Sequence, residues 1–263
     1  MAVKSVLRTC FILVCMLSRG TAVAAPTLMT DYKTLDVDVP SKLSETSKKS
    51  FQRSLVGLYS INSWRTPNIQ QPYSQFDALY QIAPQAQQEL ADLVQEISLV
   101  TQTEALLPGV KTKDRAQYKI ETELNGDASK ITDLARASVV ANDIPSLVQA
   151  FELMGKEATI VAVKNRFKSP AASGYRDLKV LVKLPKSEMI AEVQFHLDAI
   201  STVKNGEEHK IYEQIQLIER TAQVQNRDLS EFELAQINKL RATSTSLYHH
   251  AWQQYLQPSN IAV

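Results

Sequence analysis

Residues 165–194 read NRFKSPAASGYRDLKVLVKLPKSEMIAEVQ, and this stretch decides the fold. Its second half predicts a β-hairpin, because apolar and basic residues alternate over Leu178–Leu184 and the apolar run Met189–Leu197 follows a short Pro-Lys-Ser connection. Its first half concentrates basic residues, a Gly-Tyr corner and one acid. Basic side chains attract phosphates, an aromatic ring can stack on a base, and a carboxylate can accept a proton or hold a metal. The stretch therefore indicates nucleotide chemistry.

Helices and strands alternate on the N-terminal side of this hairpin. The spacing of apolar residues predicts three helices, over residues 85–104, 113–124 and 145–154. Strand-like and β-branched runs predict two strands, over residues 137–141 and 159–163. On the C-terminal side, residues 198–257 contain no proline and are rich in Gln, Glu, Leu and Ile. This composition predicts two or three helices at the end of the chain.

The first 24 residues have the organisation of a secretory signal sequence. Lys4 and Arg8 precede an apolar run from Cys10 to Leu17, and Ala22 and Ala24 occupy the small-residue positions before a cleavage site. The apolar run is shorter than the roughly 20 residues that span a bilayer, which argues against a membrane anchor. We expect export to the periplasm or beyond, cleavage after Ala24, and no stable membrane insertion of the product.

Cleavage would change both the charge and the cysteine content. The formal net charge of +1 would become −2, because three basic residues and no acid are removed. Both cysteines, Cys10 and Cys15, lie in the removed segment, so the mature chain would have no disulfide and no thiolate nucleophile. This charge does not favour non-specific binding to duplex DNA, and any anion site must be a local patch. His196 and the His249-His250 pair lack partners at metal-ligand spacing, which argues against a zinc enzyme.

Four sequence blocks carry a family resemblance, and they occur in a fixed order. The blocks are Gly109-Val110-Lys111-Thr112 with Arg115 and Lys119, Asp133-Leu134-Ala135-Arg136, Ser173-Gly174-Tyr175-Arg176, and Glu192-Val193-Gln194 followed by His209-Lys210. Together they resemble the RelA/SpoT nucleotidyltransferase domain, over about 100 residues from Gly109 to Tyr212. The resemblance implies an α/β (α+β) fold with a mixed β-sheet of about five strands flanked by helices, and helical extensions at both ends.

The resemblance also implies an activity. Members of this family transfer the β,γ-diphosphate of ATP to the ribose 3′-hydroxyl of an acceptor, here a guanosine or adenosine nucleotide, with a tRNA 3′ end as an alternative acceptor. In such an enzyme Asp133 and Glu192 would hold Mg²⁺, Glu192 would also serve as the base, and Gln194 would share its strand face. Tyr175 would stack on the acceptor base. The other residues implied in nucleotide binding are Lys111, Lys113, Arg115, Lys119, Arg136, Lys164, Arg166, Lys168, Arg176, His209 and Lys210.

Each of these residues also has an ordinary structural interpretation. Asp133 can cap a helix or lie on the surface, and Glu192 can be a solvated strand residue. Tyr175 can be a core tyrosine, and His209 can face solvent. The basic run over residues 111–119 can be the solvated face of a helix.

The chain departs from the family pattern at the first two blocks. It has no arginine directly before Val110, it has Arg115 where the family usually has a serine, and it has Ser138 five residues after the acid, where the family tends to place an arginine. The adenine contacts of the family are therefore not expected in the same form. The sequence contains no His-Asp dipeptide, so we expect a synthetase module without the family's hydrolase activity.

Export and ATP dependence together predict where such an enzyme would act. Because ATP is scarce outside the cytoplasm, we expect a toxin or effector that works inside another cell, and the sequence leaves open whether it has a neutralising partner. The alternative is a RelA/SpoT-like module that binds a nucleotide or a partner without catalysis. The predicted organisation is a signal sequence (1–24), a polar and partly helical lead-in (25–80), a synthetase domain (81–215) and a C-terminal helical extension (216–263).

Overall fold

A mixed six-stranded sheet forms the centre of the computed structural model, which describes residues 45–256. In chain order the helices and strands of this part are α1 (Glu45–Ser60), β1 (Trp64–Arg65), α2 (Phe76–Thr101), β2 (Glu104–Leu106), α3 (Lys113–Glu123), β3 (Arg136–Ala141), α4 (Ile144–Glu157), β4 (Thr159–Asn165), β5 (Leu178–Lys183), β6 (Ile190–Leu197), α5 (Asp198–Asn205), α6 (Glu207–Val224) and α7 (Glu231–Gln253). A short 3₁₀ helix, Ala128–Lys130, precedes β3. The predicted signal sequence lies outside the described residues.

The strand order is β1-β4-β5-β6-β3-β2. Strands β3 and β6 are parallel, and the other neighbouring pairs of this sheet are antiparallel. The predicted hairpin is confirmed as β5–β6, in which Lys179 pairs with Gln194 and Leu181 with Glu192. The parallel pairing places Arg136 opposite Glu192. The register therefore brings the second and fourth sequence blocks side by side.

One face of the sheet is covered by helices and forms the main core. Alternate residues of β6, such as Val193 and Phe195, are fully buried there together with Leu90 of α2 and Leu147 of α4. The ring of Phe195 meets that of Phe151 edge-on, with centroids 6.2 Å apart. Each large apolar side chain buried in this way contributes about 1.5–3 kcal/mol to stability. This face holds the sheet together, and the opposite face is available for polar groups.

The opposite face is polar over the middle of the strands. Because side chains alternate along a strand, Glu192 and Gln194 of β6 share this face with Lys179 of β5 and Arg136 of β3. We call it the open face.

A loop covers one end of the open face. The Nε2 of Gln71 donates to the carbonyl oxygens of Ile131, at 2.6 Å, and Ile190, at 2.9 Å, and its Oε1 accepts from the Ile190 amide at 2.9 Å. Ile69 packs beside them against Leu181 and Ile190. These contacts satisfy the buried polar groups and cover this end of the face.

The C-terminal helices pack against the segment that joins β4 to β5. Trp252 of α7 lies 5.5 Å from Phe167 between ring centroids, and Tyr248 lies 5.5 Å from Tyr175. The start of α7 is fixed by a capping box between Ser230 and Glu233. The prediction of two or three helices is confirmed as three. Within residues 45–256 we find no helix with the length and apolar character needed to cross a bilayer.

The structure corrects two expectations about the elements. Helix α2 begins at Phe76, so the predicted start at Gln85 is wrong, and Pro84 lies inside the helix. The cost of this proline is offset because Leu79 and Ala83 are buried in the core before it. The sheet has six strands rather than about five, because the edge strands β1 and β2 have two and three residues and are too short to show alternation.

Candidate active site

Glu192 lies at the centre of a chain of charged and polar contacts on the open face. Its side chain is buried except for 12%, and its Oε2 contacts the ammonium group of Lys179. The Nε2 of Gln194 donates to Oε1 of Glu192 at 2.9 Å, and the Nζ of Lys204 donates to Oε1 of Gln194 at 3.2 Å. Strand pairing positions Lys179, and α5, which follows β6 without a break, positions Lys204. The Glu192 carboxylate is thus paired directly with Lys179 and linked to Lys204 through the Gln194 amide.

Asp133 forms a second buried carboxylate, just before β3. Its Oδ2 accepts from the Nζ of Lys111 at 3.1 Å and of Lys119 at 2.8 Å. The Lys111 amide donates to the Leu134 carbonyl at 3.0 Å, which ties the first block to the second. Burial raises the pKa of Asp133, but the hydrogen bonds and charges of Lys119 and Lys111 outweigh it and hold that pKa below its usual value. Asp133 is therefore ionised at neutral pH.

Lysines outnumber acids around Glu192 and Asp133. Four lysines contact or adjoin two carboxylates, namely Lys111, Lys119, Lys179 and Lys204. Burial lowers the pKa of Lys204, and the carboxylates of Asp177 and Glu192 oppose that shift. The Nε of Arg136 is also buried, and no residue of the described part hydrogen-bonds to it. This arrangement suits a ligand with several negative charges.

The residues present fit a magnesium ion that arrives with a phosphorylated ligand. Oδ1 of Asp133 is buried and has no hydrogen-bond partner among the described residues, so it is a carboxylate oxygen available for coordination. Within residues 45–256 no group of three or more His, Cys, Asp or Glu side chains could hold a metal. Mg²⁺ is commonly bound by one or two carboxylates, with phosphate oxygens and water completing its shell. Asp133 and Glu192 as magnesium ligands remain a prediction.

The Gly-Tyr corner is built into a buried network. Gly174 has φ +83°, and a Cβ at this position would lie 3.3 Å from backbone atoms of Thr245 in α7. The hydroxyl of Tyr175 donates to Oδ2 of Asp177 at 2.9 Å and lies 2.7 Å from Nε2 of His196. Burial lowers the pKa of His196 to about 3, so its imidazole is neutral at physiological pH.

This network gives Tyr175 and two predicted cations structural contacts. Arg166 is paired with the fully buried carboxylate of Asp177 and lies over the Tyr175 ring. Arg176 donates to the Phe167 carbonyl at 3.0 Å and lies over the ring of Trp252. These contacts fix the corner against α7, and a base-stacking role for Tyr175 and phosphate roles for Arg166 and Arg176 remain predictions.

The remaining predicted cations are on the surface. Lys113 pairs with Asp77, at 3.0 Å between Nζ and Oδ1, and Lys168 donates to Asn62 at 3.2 Å. His209 pairs with Glu213 at 3.3 Å on the exposed side of α6. Three others, Arg115, Lys164 and Lys210, are also exposed. The structure thus places Lys111 and Lys119 on Asp133 and Arg136 opposite Glu192 in the strand pairing, and leaves these six at the surface.

Two lysines of the site were missed by the sequence analysis. The sequence predicts Lys179 only as one of the basic residues of the hairpin and Lys204 only as part of a C-terminal helix. The alternation that predicts β5 contains a signal for Lys179, because cross-strand neighbours of a Glu-x-Gln strand share its face. Lys204 gives no such signal, because its position depends on how α5 folds back.

Comparison with known proteins identifies the fold. No protein-family model and no curated protein matches the sequence. Small alarmone synthetase 1 from Bacillus subtilis matches with a TM-score of 0.50 at 15% identity, over 70% of this chain and 94% of that chain. The Type VI effector Tas1, solved with its immunity protein, matches with a TM-score of 0.49 at 21% identity, over 68% of this chain and 96% of that chain. Small alarmone synthetase 2 from Bacillus subtilis also has a TM-score of 0.49, at 19% identity, over 68% of this chain and 95% of that chain.

The chain has a RelA/SpoT-like fold, as the match to small alarmone synthetase 1 shows. The predicted mixed sheet with flanking helices is confirmed. Similarity at 15% identity shows the fold alone, and the activity depends on the residues of the site.

Proposed function

We propose that this protein is a pyrophosphokinase that transfers the β,γ-diphosphate of ATP to the 3′-hydroxyl of a guanosine or adenosine nucleotide. The observation that carries the proposal is the pair of largely buried acids, Glu192 and Asp133, each bound to lysine in a chain with a RelA/SpoT-like fold. Two carboxylates with surplus cations suit a reaction that brings a polyphosphate to a hydroxyl group.

The lysines of the site would bind and orient the donor. Lys111 and Lys119 contact Asp133 at 3.1 and 2.8 Å, so their ammonium groups are held beside one carboxylate oxygen. A triphosphate offers these ammonium groups more negative charge than one carboxylate does. Contacts of this kind place the β-phosphorus for in-line attack, and such positioning is a large part of catalysis of phosphoryl transfer.

Glu192 would accept the proton of the acceptor hydroxyl. The 3′-oxygen forms a bond to the β-phosphorus, the bond from that phosphorus to the α–β bridging oxygen breaks, and AMP leaves. Lys179 and Gln194 each contact one oxygen of the Glu192 carboxylate, which fixes its orientation and leaves lone pairs on both oxygens. Mg²⁺, when bound at Asp133 and Glu192, would neutralise charge on the triphosphate.

The site of action follows from the predicted export. If residues 1–24 direct secretion, an enzyme that consumes ATP needs a second cell as its place of action. We therefore propose a toxin or effector role, with a neutralising partner in the producing cell. A tRNA 3′ end is the alternative acceptor.

Transfer of label tests the proposal. The purified protein is incubated with γ-labelled ATP and Mg²⁺, and separately with GDP, GTP, ADP, excess ATP and bulk tRNA, and the products are resolved by chromatography. We expect label on one class of acceptor. Nucleotide binding by folded protein without transfer to any acceptor would contradict the proposal and favour the alternative, a nucleotide-binding module without catalysis.

A further inference from the structure

An open groove on α3 lies beside the Asp133 site and contains an exposed aromatic ring. The groove has a volume of about 510 Å³ and is lined by Lys111, Asp114, Arg115, Tyr118, Lys119 and Glu123. Lys111 and Lys119 are the two residues that bind Asp133, so the groove and the buried acid share a wall.

Helix geometry places these side chains on one side of α3. Ala116 and Ile120, four residues apart, face the core and are buried. Residues 114, 115, 118 and 119 fall on another face of the helix, again at spacings of three and four. Burial of Ala116 and Ile120 therefore sets the rotation of α3 about its axis and places Tyr118 and Arg115 at the groove.

Tyr118 is conspicuously exposed for an aromatic residue in this position. Its side chain is 67% exposed, although the next residue, Lys119, pairs with the buried carboxylate of Asp133. A phenol ring in contact with water offers a free π-face, on which a nucleobase can stack. The neighbouring guanidinium of Arg115, three residues away, can stack on a base as well.

We infer that this groove binds the base of the donor nucleotide, with Tyr118 as the stacking residue. The inference rests on the proposed function, because it takes the triphosphate to lie at Lys111 and Lys119. The base of the same nucleotide then extends along α3, where Tyr118 is the aromatic side chain that lines the groove.

The acids of the groove give it a preference for adenine. Asp114 and Glu123 are exposed carboxylates that line the same groove. A carboxylate accepts a hydrogen bond from the 6-amine of adenine, whereas the 6-carbonyl of guanine or hypoxanthine would place oxygen against oxygen. Asp114 and Glu123 therefore determine specificity, and Tyr118 provides affinity.

Binding measurements separate the contribution of the base from that of the phosphates. Isothermal titration calorimetry is carried out with α,β-methylene-ATP, whose α–β bridge cannot break, and with inorganic tripolyphosphate, which has no base. We expect Tyr118→Ala to weaken binding of the nucleotide at least about tenfold and Tyr118→Phe to retain it, since stacking needs the ring and not the hydroxyl. Binding of tripolyphosphate should be the same in all three proteins.

A matched control and a competition complete the test. Phe232→Ala removes an aromatic side chain of 78% exposure outside the groove and should leave nucleotide binding unchanged. ITP should compete less well than ATP against the wild-type protein, and this difference should disappear in the Asp114→Ala/Glu123→Ala variant.

The inference is overturned if Tyr118→Ala binds α,β-methylene-ATP with the affinity of the wild type. It is also overturned if the variant loses as much affinity for tripolyphosphate as for α,β-methylene-ATP. Its failure can be told apart from failure of the proposed function. Loss of base-dependent binding in Tyr118→Ala would support the groove even if the wild-type protein transferred no diphosphate. If Tyr118→Ala transfers diphosphate and binds the nucleotide with unchanged affinity, the proposed function stands and the inference about the groove is wrong.

Discussion

Replacing Glu192 by glutamine removes one negative charge from the site and keeps the volume of the side chain. The amide can still accept a hydrogen bond from Gln194, and Lys179, whose side chain is 29% exposed, can turn its ammonium group toward water. The free energy of unfolding should therefore fall by about 1 kcal/mol or less, which for a domain of this size shifts Tm by roughly 2–4 °C.

The effect on activity should be much larger. A general base contributes about 10²–10⁴-fold to rate, and an amide cannot take the proton of the 3′-hydroxyl. We therefore expect Glu192→Gln to lower the rate of diphosphate transfer by at least about 100-fold. The assay is the release of AMP in the presence of acceptor, with Tm measured on the same preparation.

A second glutamate of the same hairpin provides the control. Glu188 is 65% exposed and pairs with Lys183 at 3.4 Å, so Glu188→Gln also removes a glutamate–lysine pair. It should leave both the transfer rate and Tm nearly unchanged. A transfer rate for Glu192→Gln within a few fold of wild type, with both variants folded, would refute the assigned role of Glu192.

Three further variants test how the fold supports the site. Asn165→Ala should lower the free energy of unfolding by about 3 kcal/mol in urea titrations, because the amide donates to Leu58 and Ile61 carbonyls at 2.8 and 2.9 Å; a loss below about 1 kcal/mol would contradict this. Gly174→Ala should cost about 1–3 kcal/mol and clearly more than Gly126→Ala, since both have positive φ but only the first has backbone within 4 Å of the new Cβ. Asp133 has a lowered pKa, so its contribution to stability is present above about pH 4 and is lost as pH falls through the folded-state pKa. Asp133→Asn should therefore flatten the acid side of the stability–pH curve, and an unchanged curve would count against its lysine pairs.

The central part of the fold could be predicted because its signals are local. Alternation over residues 178–197 specifies the β5–β6 hairpin, and the Glu-x-Gln spacing places Glu192 and Gln194 on one face. The edge strands could not be found in this way, since two or three residues carry no period and are paired by the rest of the sheet.

The residues of the candidate site that the sequence predicts are its two acids, Gln194, Arg136 and the first-block lysines Lys111 and Lys119. Asp133 and Lys111 are recognisable from their sequence blocks, and the structure brings them within 3.1 Å. The environment of Tyr175 could not be predicted from the sequence. Its neighbour Tyr248 lies on α7, more than 70 residues later, and no local sequence pattern indicates that contact. Lys204 depends in the same way on the path of α5. Contacts that are distant in sequence are thus the part that pattern analysis misses.

The most direct test of the central claim is the identity of the nucleotide that ATP leaves behind. The purified protein is incubated with ATP, Mg²⁺ and the acceptor found by label transfer, and AMP, ADP and product are quantified by chromatography and mass spectrometry. Diphosphate transfer predicts AMP and an acceptor with two added phosphates in equal amounts, both abolished in Glu192→Gln. ADP with a singly phosphorylated acceptor, or no conversion at all by folded protein, would contradict the account.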